Sequence, residues 1–143
     1  MLWPTHEHFD AAHEWFSGRG SGERWATCPL TQLAFVRIVS NPAFSRDALA
    51  PEDALRLLER NLAHPAHVFW PDDVGLADAV GPLAPRLQGH RQLTDVYLLG
   101  LALRQRGALA TFDGGLRGLA GGDGAAGLEI VPTRSTGGGR RRT

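Results

Sequence analysis

LTDVYLLGLALRQRGALATFDGGL, from Leu93 to Leu116, couples an apolar run of helical pattern to a short apolar run that reads as a strand. Thr94 is placed to cap the helix, which the pattern carries to about Arg106, with Gly107 as its stop. ALAT (Ala108 to Thr111) has the composition of a buried strand. One aspartate, Asp95, falls in the first turn of the helix. A second, Asp113, falls just past the strand, where Gly114 and Gly115 let the backbone turn sharply.

The same alternation extends in both directions. Thr5 to Gly18 reads as an amphipathic helix with Phe9, Ala12 and Phe16 on one face. RWATC (Arg24 to Cys28) is a strand candidate, and Pro29 suits the first turn of a helix that Asn41-Pro42 ends. Pro51 to His64 is a second amphipathic helix, with Glu52 and Asp53 favourably placed at its positive end. HVFW (His67 to Trp70) reads as a strand, Asp72 to Ala84 as a weaker helix, QGHRQ as a loop and LEIV (Leu128 to Val131) as a last strand. Short apolar strands between helices imply an α/β sandwich of three layers around a small parallel sheet. The expected organisation is a single domain over residues 1–133 and a disordered Gly/Arg tail over 134–143.

Composition narrows the function classes. The 143 residues include 43% hydrophobic side chains, and fifteen basic residues balance fifteen acidic ones. With no net charge and a pI near 7.0, a nucleic acid would have to be held by a local patch. All the basic residues are Arg, a bias of base composition rather than of chemistry. A lone Cys28 excludes an internal disulfide and suits a reducing cytoplasm. No apolar run is long enough to span a bilayer, and no secretory signal pattern opens the chain, so no membrane partner is expected.

In a parallel sheet, ligands gather at the carboxyl ends of the strands. Two or more carboxylates there suit Mg²⁺, which takes oxygen ligands and keeps several waters. Asp95 could equally complement the helix dipole, and Asp113 before Gly-Gly could be an ordinary turn residue. Spacing alone leaves both readings open.

Three segments together carry a resemblance: WATCPLTQLAFVRIVSNP (Trp25 to Pro42), HRQLTDVYLLGLALRQRGALATFDGGL (His90 to Leu116) and WPTHEHFDAAHEWF (Trp3 to Phe16). In order and interval they resemble the PIN-domain nucleases of the VapC toxin group, over nearly the whole chain. The resemblance implies a PIN-like fold and a metal-dependent endoribonuclease, the toxin of a type II toxin–antitoxin system. It implies Asp95 and Asp113 as catalytic, metal-binding acids for Mg²⁺ or Mn²⁺, with Thr111 and Gln32 in support. His90, Arg91 and Arg117 become candidate RNA contacts. The implied partners are a cognate antitoxin, an RNA substrate and a second copy of the chain.

Two departures from that pattern stand out. The helix after CPLT has Gln32 where the group usually has Glu, so a neutral amide replaces a charge. The group's opening strand, of the form LLDxNVLL with its own aspartate, is not represented before Trp3-Pro4. That strand lies mid-sheet, and each backbone group orphaned by its loss would cost about 1–3 kcal/mol. A start placed at an internal methionine is the favoured explanation, and a decaying copy is the other. The alternative function is accordingly a catalytically inactive or truncated PIN remnant that only binds antitoxin or RNA.

Other motifs carry less. HEHFDAAH lacks the HExxH spacing, since Asp10 stands where the second histidine is needed. GRGSG (Gly18 to Gly22) lacks a strand-turn-helix context and reads as a flexible connection, and Cys28 reads as a buried thiol. Trp3, Trp15, Phe44 and Trp70 exceed what such a core needs, and an antitoxin or a second protomer would cover surface of that kind.

Overall fold

The computed structural model describes residues 9–44, 46–121 and 127–133. The expected helix start at Thr5, Trp3 and the tail at 134–143 lie outside them. Among the described residues five α-helices and four strands follow one another as α1 (Phe9–Ser17), β1 (Trp25–Thr27), α2 (Pro29–Val39), α3 (Pro51–Leu62), β2 (His67–Phe69), α4 (Leu76–Val80), α5 (Leu93–Arg104), β3 (Leu109–Thr111) and β4 (Leu128–Ile130). Short 3₁₀ turns occupy Gly81–Arg86, His90–Gln92 and Gly114–Gly118. The alternation is the one read from the sequence, with each strand trimmed to three residues.

All pairing is parallel, as expected, but the sheet is divided. β1 pairs with β2 in the register Ala26↔Val68, and β3 with β4 in the register Ala110↔Glu129. No ladder joins the two pairs among the described residues. Trp25 N–H donates to the Ala66 carbonyl and Trp70 N–H to that of Thr27. Trp25 and Thr27 therefore spend their backbone groups on β2, and Ala26, by the alternation of a parallel strand, faces the other way. A cavity of about 360 Å³ separates the pairs, with Ala26 and Ala110 both on its wall.

Two buried cores form. Phe35 and Val39 of α2 pack on Ala54 and Leu58 of α3. Val96 and Leu99 of α5 gather Val80, Leu83, Leu116, Leu119 and Ala120, with Leu109 and Leu128 of the second strand pair against them. α1 bridges the two pairs with adjacent side chains. The Phe16 ring meets Trp25 of β1 edge-on at 5.6 Å, and Trp15 Nε1 donates to Glu129 Oε1 of β4 at 2.6 Å. Arg19 stacks on the Trp15 ring at 4.4 Å while its Nη1 lies 3.2 Å from Glu129 Oε2.

Several local expectations change. Thr94 does not cap α5: the 3₁₀ turn His90–Gln92 feeds straight into the helix, so its cap residue is Gln92 and Thr94 is already helical. QGHRQ is thus partly ordered as a turn. The weak helix over Asp72–Ala84 shortens to α4 and finishes as a 3₁₀ turn around Pro82. α5 does end before Gly107, but the left-handed residue is Arg106, at φ 55°. Gly107 N–H bonds back to the Ala102 carbonyl and Arg106 N–H to that of Leu103, which closes the helix. Glycine is needed at 107 because the Trp70 indole lies where a Cβ would stand. Trp70 and Trp15 are therefore packed, whereas Phe44 is 71% exposed.

Gly100 is the tightest point of the core. A Cβ there would collide with the Ala79 carbonyl, so α4 and α5 touch backbone to backbone. Gly100→Ala must push these helices apart and is expected to cost about 3 kcal/mol, the upper part of the usual overpacking range. Chemical denaturation would show this as a lower midpoint. An unchanged midpoint would mean that the two helices separate freely.

Candidate active site

Asp113 is positioned by the turn that follows β3. Its backbone N–H donates to Thr111 Oγ1 at 3.1 Å, and its Oδ1 accepts the Gly115 N–H at 2.8 Å. The carboxylate thus caps the 3₁₀ turn Gly114–Gly118 with one oxygen, and the other, Oδ2, remains for further partners. Thr111 acts here through its hydroxyl on the backbone of Asp113.

Asp95 is held in the first turn of α5, half-buried on a helix whose next residue, Val96, is fully enclosed. Burial raises its pKa above the ordinary value, and the negative charge of Asp113 raises it further. Asp95 therefore senses the charge of Asp113, eighteen positions along the sequence (113 − 95). The helix-dipole reading accounts for neither effect, because a positive helix end lowers a carboxyl pKa. A divalent cation between these acids would relieve both the desolvation and the repulsion, so the donor set suits one. Among the described residues, no three His, Cys, Asp or Glu side chains converge on a metal position. The site is a pair.

Gln32 lies in the first turn of α2, which Pro29 opens and Thr31 secures by accepting the Cys28 N–H at 2.9 Å. Its described contact is not with either aspartate. Gln32 Nε2 donates to Thr27 Oγ1 at 2.9 Å, and Thr27 Oγ1 stands 2.8 Å from His67 Nε2. Among the described residues Thr27 is the one polar residue that is buried, 5% exposed. Cys28, 2% exposed, is the buried thiol expected. Burial lowers the His67 pKa, against the opposing effect of a hydrogen bond to the Leu62 backbone. Thr27 lies in a segment that carries the resemblance but was given no role there, and His67 lies in no motif; the two meet diagonally across β1 and β2, a contact that only the pairing register creates.

His90 and Arg91 sit exposed on the turn that leads into α5, and Arg117 is exposed on the turn after Asp113. They flank the two acids along the chain. Farther along α5, burial raises the Tyr97 pKa, and a hydrogen bond and the charge of Asp72 add to the shift. Asp73 is matched by Arg104, with Nε 3.3 Å from its Oδ1.

Comparison with known proteins adds to this geometry. A family model described as the PIN domain matches residues 2–122. The chain is 42% identical over 120 residues to ribonuclease VapC38 of Mycobacterium tuberculosis, covering 84% of this chain and 82% of that protein. It is 40% identical over 116 residues to ribonuclease VapC39 of the same organism, covering 80% and 81%. Ribonuclease VapC29 matches at 39% over 116 residues, covering 81% and 80%.

The charge arrangement has a measurable consequence. The folded chain holds the Asp95 proton to higher pH than the unfolded chain does. Stability therefore falls as pH rises from the ordinary 3.8 through the raised folded value, and stays lower above it. Asp95→Asn removes this cost and is expected to raise the thermal midpoint of the metal-free chain at neutral pH. The gain should vanish below pH 3.8, where the carboxyl is protonated in both states. An asparagine variant that melts lower at neutral pH would contradict the repulsion.

Proposed function

The chain belongs to the PIN-domain family, and on that premise we propose that it is an endoribonuclease, the toxin of a type II toxin–antitoxin pair, cutting RNA phosphodiester bonds at Asp95 and Asp113. The observation that carries the reading is a half-buried Asp95 within reach of the charge of Asp113. Its support is the identity of about 40% to ribonucleases over most of the chain.

Asp95 and Asp113 would hold Mg²⁺ or Mn²⁺. Such an ion, when bound, supplies an acidified water and offsets charge on the phosphate. The chain's own part is to fix the two carboxylates: α5 presents Asp95 from a rigid packed helix, and Thr111 and Gly115 hold Asp113 from both sides. His90, Arg91 and Arg117 contact phosphate oxygens, which positions RNA without reading its bases. The antitoxin and a second protomer cover exposed apolar side chains, among them Leu33, Phe44 and Leu55. Among the described residues no helix is long and apolar enough to cross a membrane. We place the activity in the cytoplasm, where the RNA is.

The test is cleavage of a labelled RNA pool by the purified chain with Mn²⁺ or Mg²⁺. Chelation should abolish cleavage. Asp95→Asn and Asp113→Asn should each lower the rate by at least about 100-fold, the upper end of what outer-shell partners of a metal cost. Undiminished cleavage by both variants would overturn the assignment. Arg117→Ala should weaken RNA binding across sequences and flatten its salt dependence.

A further inference from the structure

We propose that Arg86, anchored on the Leu119 carbonyl, is an RNA-binding residue whose guanidinium holds a backbone phosphate flanking the one cut at Asp95 and Asp113. The inference rests on the nuclease reading and adds to it a residue and a path for the strand.

The three 3₁₀ turns grow from one apolar base. Leu83 of Gly81–Arg86, Val96 and Leu99 of α5, and Leu116 of Gly114–Gly118 lie in a single buried cluster with Leu119 and Ala120. The turn His90–Gln92 runs directly into α5. Each turn carries an exposed arginine: Arg86, Arg91 and Arg117. Packing on one cluster keeps the turns in a fixed relation, with Asp95 at the head of α5 and Asp113 capping the third turn.

Arg86 is tied down without being neutralised. Its Nη1 donates to the Leu119 carbonyl at 3.4 Å, and a Cβ added at Gly121 would stand 3.9 Å from its Nε and Cζ. The guanidinium therefore lies along the far end of the third turn. Other arginines meet acids: Arg19 has Glu23 and Glu129, Arg56 has Glu52 and Asp53, and Arg104 has Asp73. Arg86 has no carboxylate partner among the described residues. A guanidinium has five N–H donors, so most remain for an anion, and phosphate oxygens suit its fork. Anchoring also reduces the side-chain ordering that binding costs. The rise of a 3₁₀ turn, about 2 Å per residue, carries the chain about 10 Å from Asp113 to the end that Arg86 holds. That is too far for the phosphate being cut, so Arg86 meets a neighbour of it. RNA accordingly runs along the turn from Asp113 past Arg117 toward Leu119.

An arginine bonded to a terminal helix carbonyl can also act as a plain cap, so the test must separate a cap from a contact. Affinity of the full chain for a labelled single-stranded RNA of mixed sequence is read by fluorescence anisotropy, under chelation and over a series of KCl concentrations. Arg86→Gln should weaken binding about 2- to 5-fold, the range of an exposed ion pair. It should also reduce the slope of log affinity against log salt by about 0.7, the share of one phosphate on a single strand. Arg86→Lys keeps the charge and should keep the slope. Arg60→Gln removes an exposed arginine from α3, which packs in the other cluster, and should leave the slope unchanged. A full slope in Arg86→Gln would overturn the proposal and leave Arg86 a cap. An equal loss in Arg60→Gln, or no measurable RNA binding by the unmodified chain, would overturn it too.

Two further readouts complete the test. The Arg86 Nε–H signal of the ¹⁵N-labelled unmodified chain, assigned with Arg86→Lys, should shift when the same RNA is added. A signal that stays in place would overturn the proposal even where the glutamine variant does not fold. In cleavage with Mn²⁺, Arg86→Gln should raise KM by more than it lowers kcat. A fall in kcat alone would overturn the contact by placing the effect on the Asp113 turn. Cleavage indifferent to Asp95→Asn would instead remove the nuclease reading, with the salt slope still deciding whether Arg86 holds a phosphate.

Discussion

No backbone ladder joins the two parallel strand pairs among the described residues, so side chains must hold them in one body. α1 does this from one side with adjacent residues, Trp15 reaching β4 and Phe16 reaching β1. α5 does it from the interior. Its Val96, Leu99, Leu101 and Ala102 are all buried, which surrounds the helix on more than one face. A helix buried in this way cannot rotate without opening the core. The direction in which Asp95 points is therefore set by packing several residues away from it. Gly100, with the Ala79 carbonyl against it, fixes the depth as well.

Much of this architecture was legible in the sequence because it rests on periodicity. Helical spacing in α2, α3 and α5 marked those helices, and short apolar runs marked all four strands. What failed to show was anything set by contacts between distant segments. Thr94 has the chemistry of a cap, yet the turn at His90–Gln92 starts the helix earlier and leaves it no capping role. Gly107 stands at the helix end for a reason no local pattern contains: an indole from the other strand pair needs the space. The division of the sheet also depends on which strands lie side by side, and strand composition says nothing about that.

The candidate site was legible to a similar depth. The identity of the two acids came from motif and resemblance, and their proximity did not follow from spacing. The first turn of α5 precedes β3 by a whole crossover, so a reader of the sequence could place Asp95 at either end of the strand. In the fold, the charge of Asp113 reaches Asp95 and raises its pKa. Gln32 shows the opposite case. Its position in the motif suggested a place beside the acids, whereas its described bond runs to Thr27 and onward to His67.

The treatment of the other carboxylates gives the aspartate pair its meaning. Glu129, half-buried in β4, is met by an indole N–H and a guanidinium. Asp72 is met by the hydroxyl of Tyr97, and Asp73 by the guanidinium of Arg104. Each of these acids meets a donor, the half-buried Glu129 and the exposed Asp72 and Asp73 alike. Asp95 is as enclosed as Glu129 by class of burial, yet its resolved electrostatic neighbour is another carboxylate. Folding alone gains nothing from such an arrangement, which lowers stability at neutral pH. A repulsion held in place by a rigid helix and a glycine turn is explained if a cation completes it, and this contrast with its acidic neighbours separates the pair from ordinary surface charge.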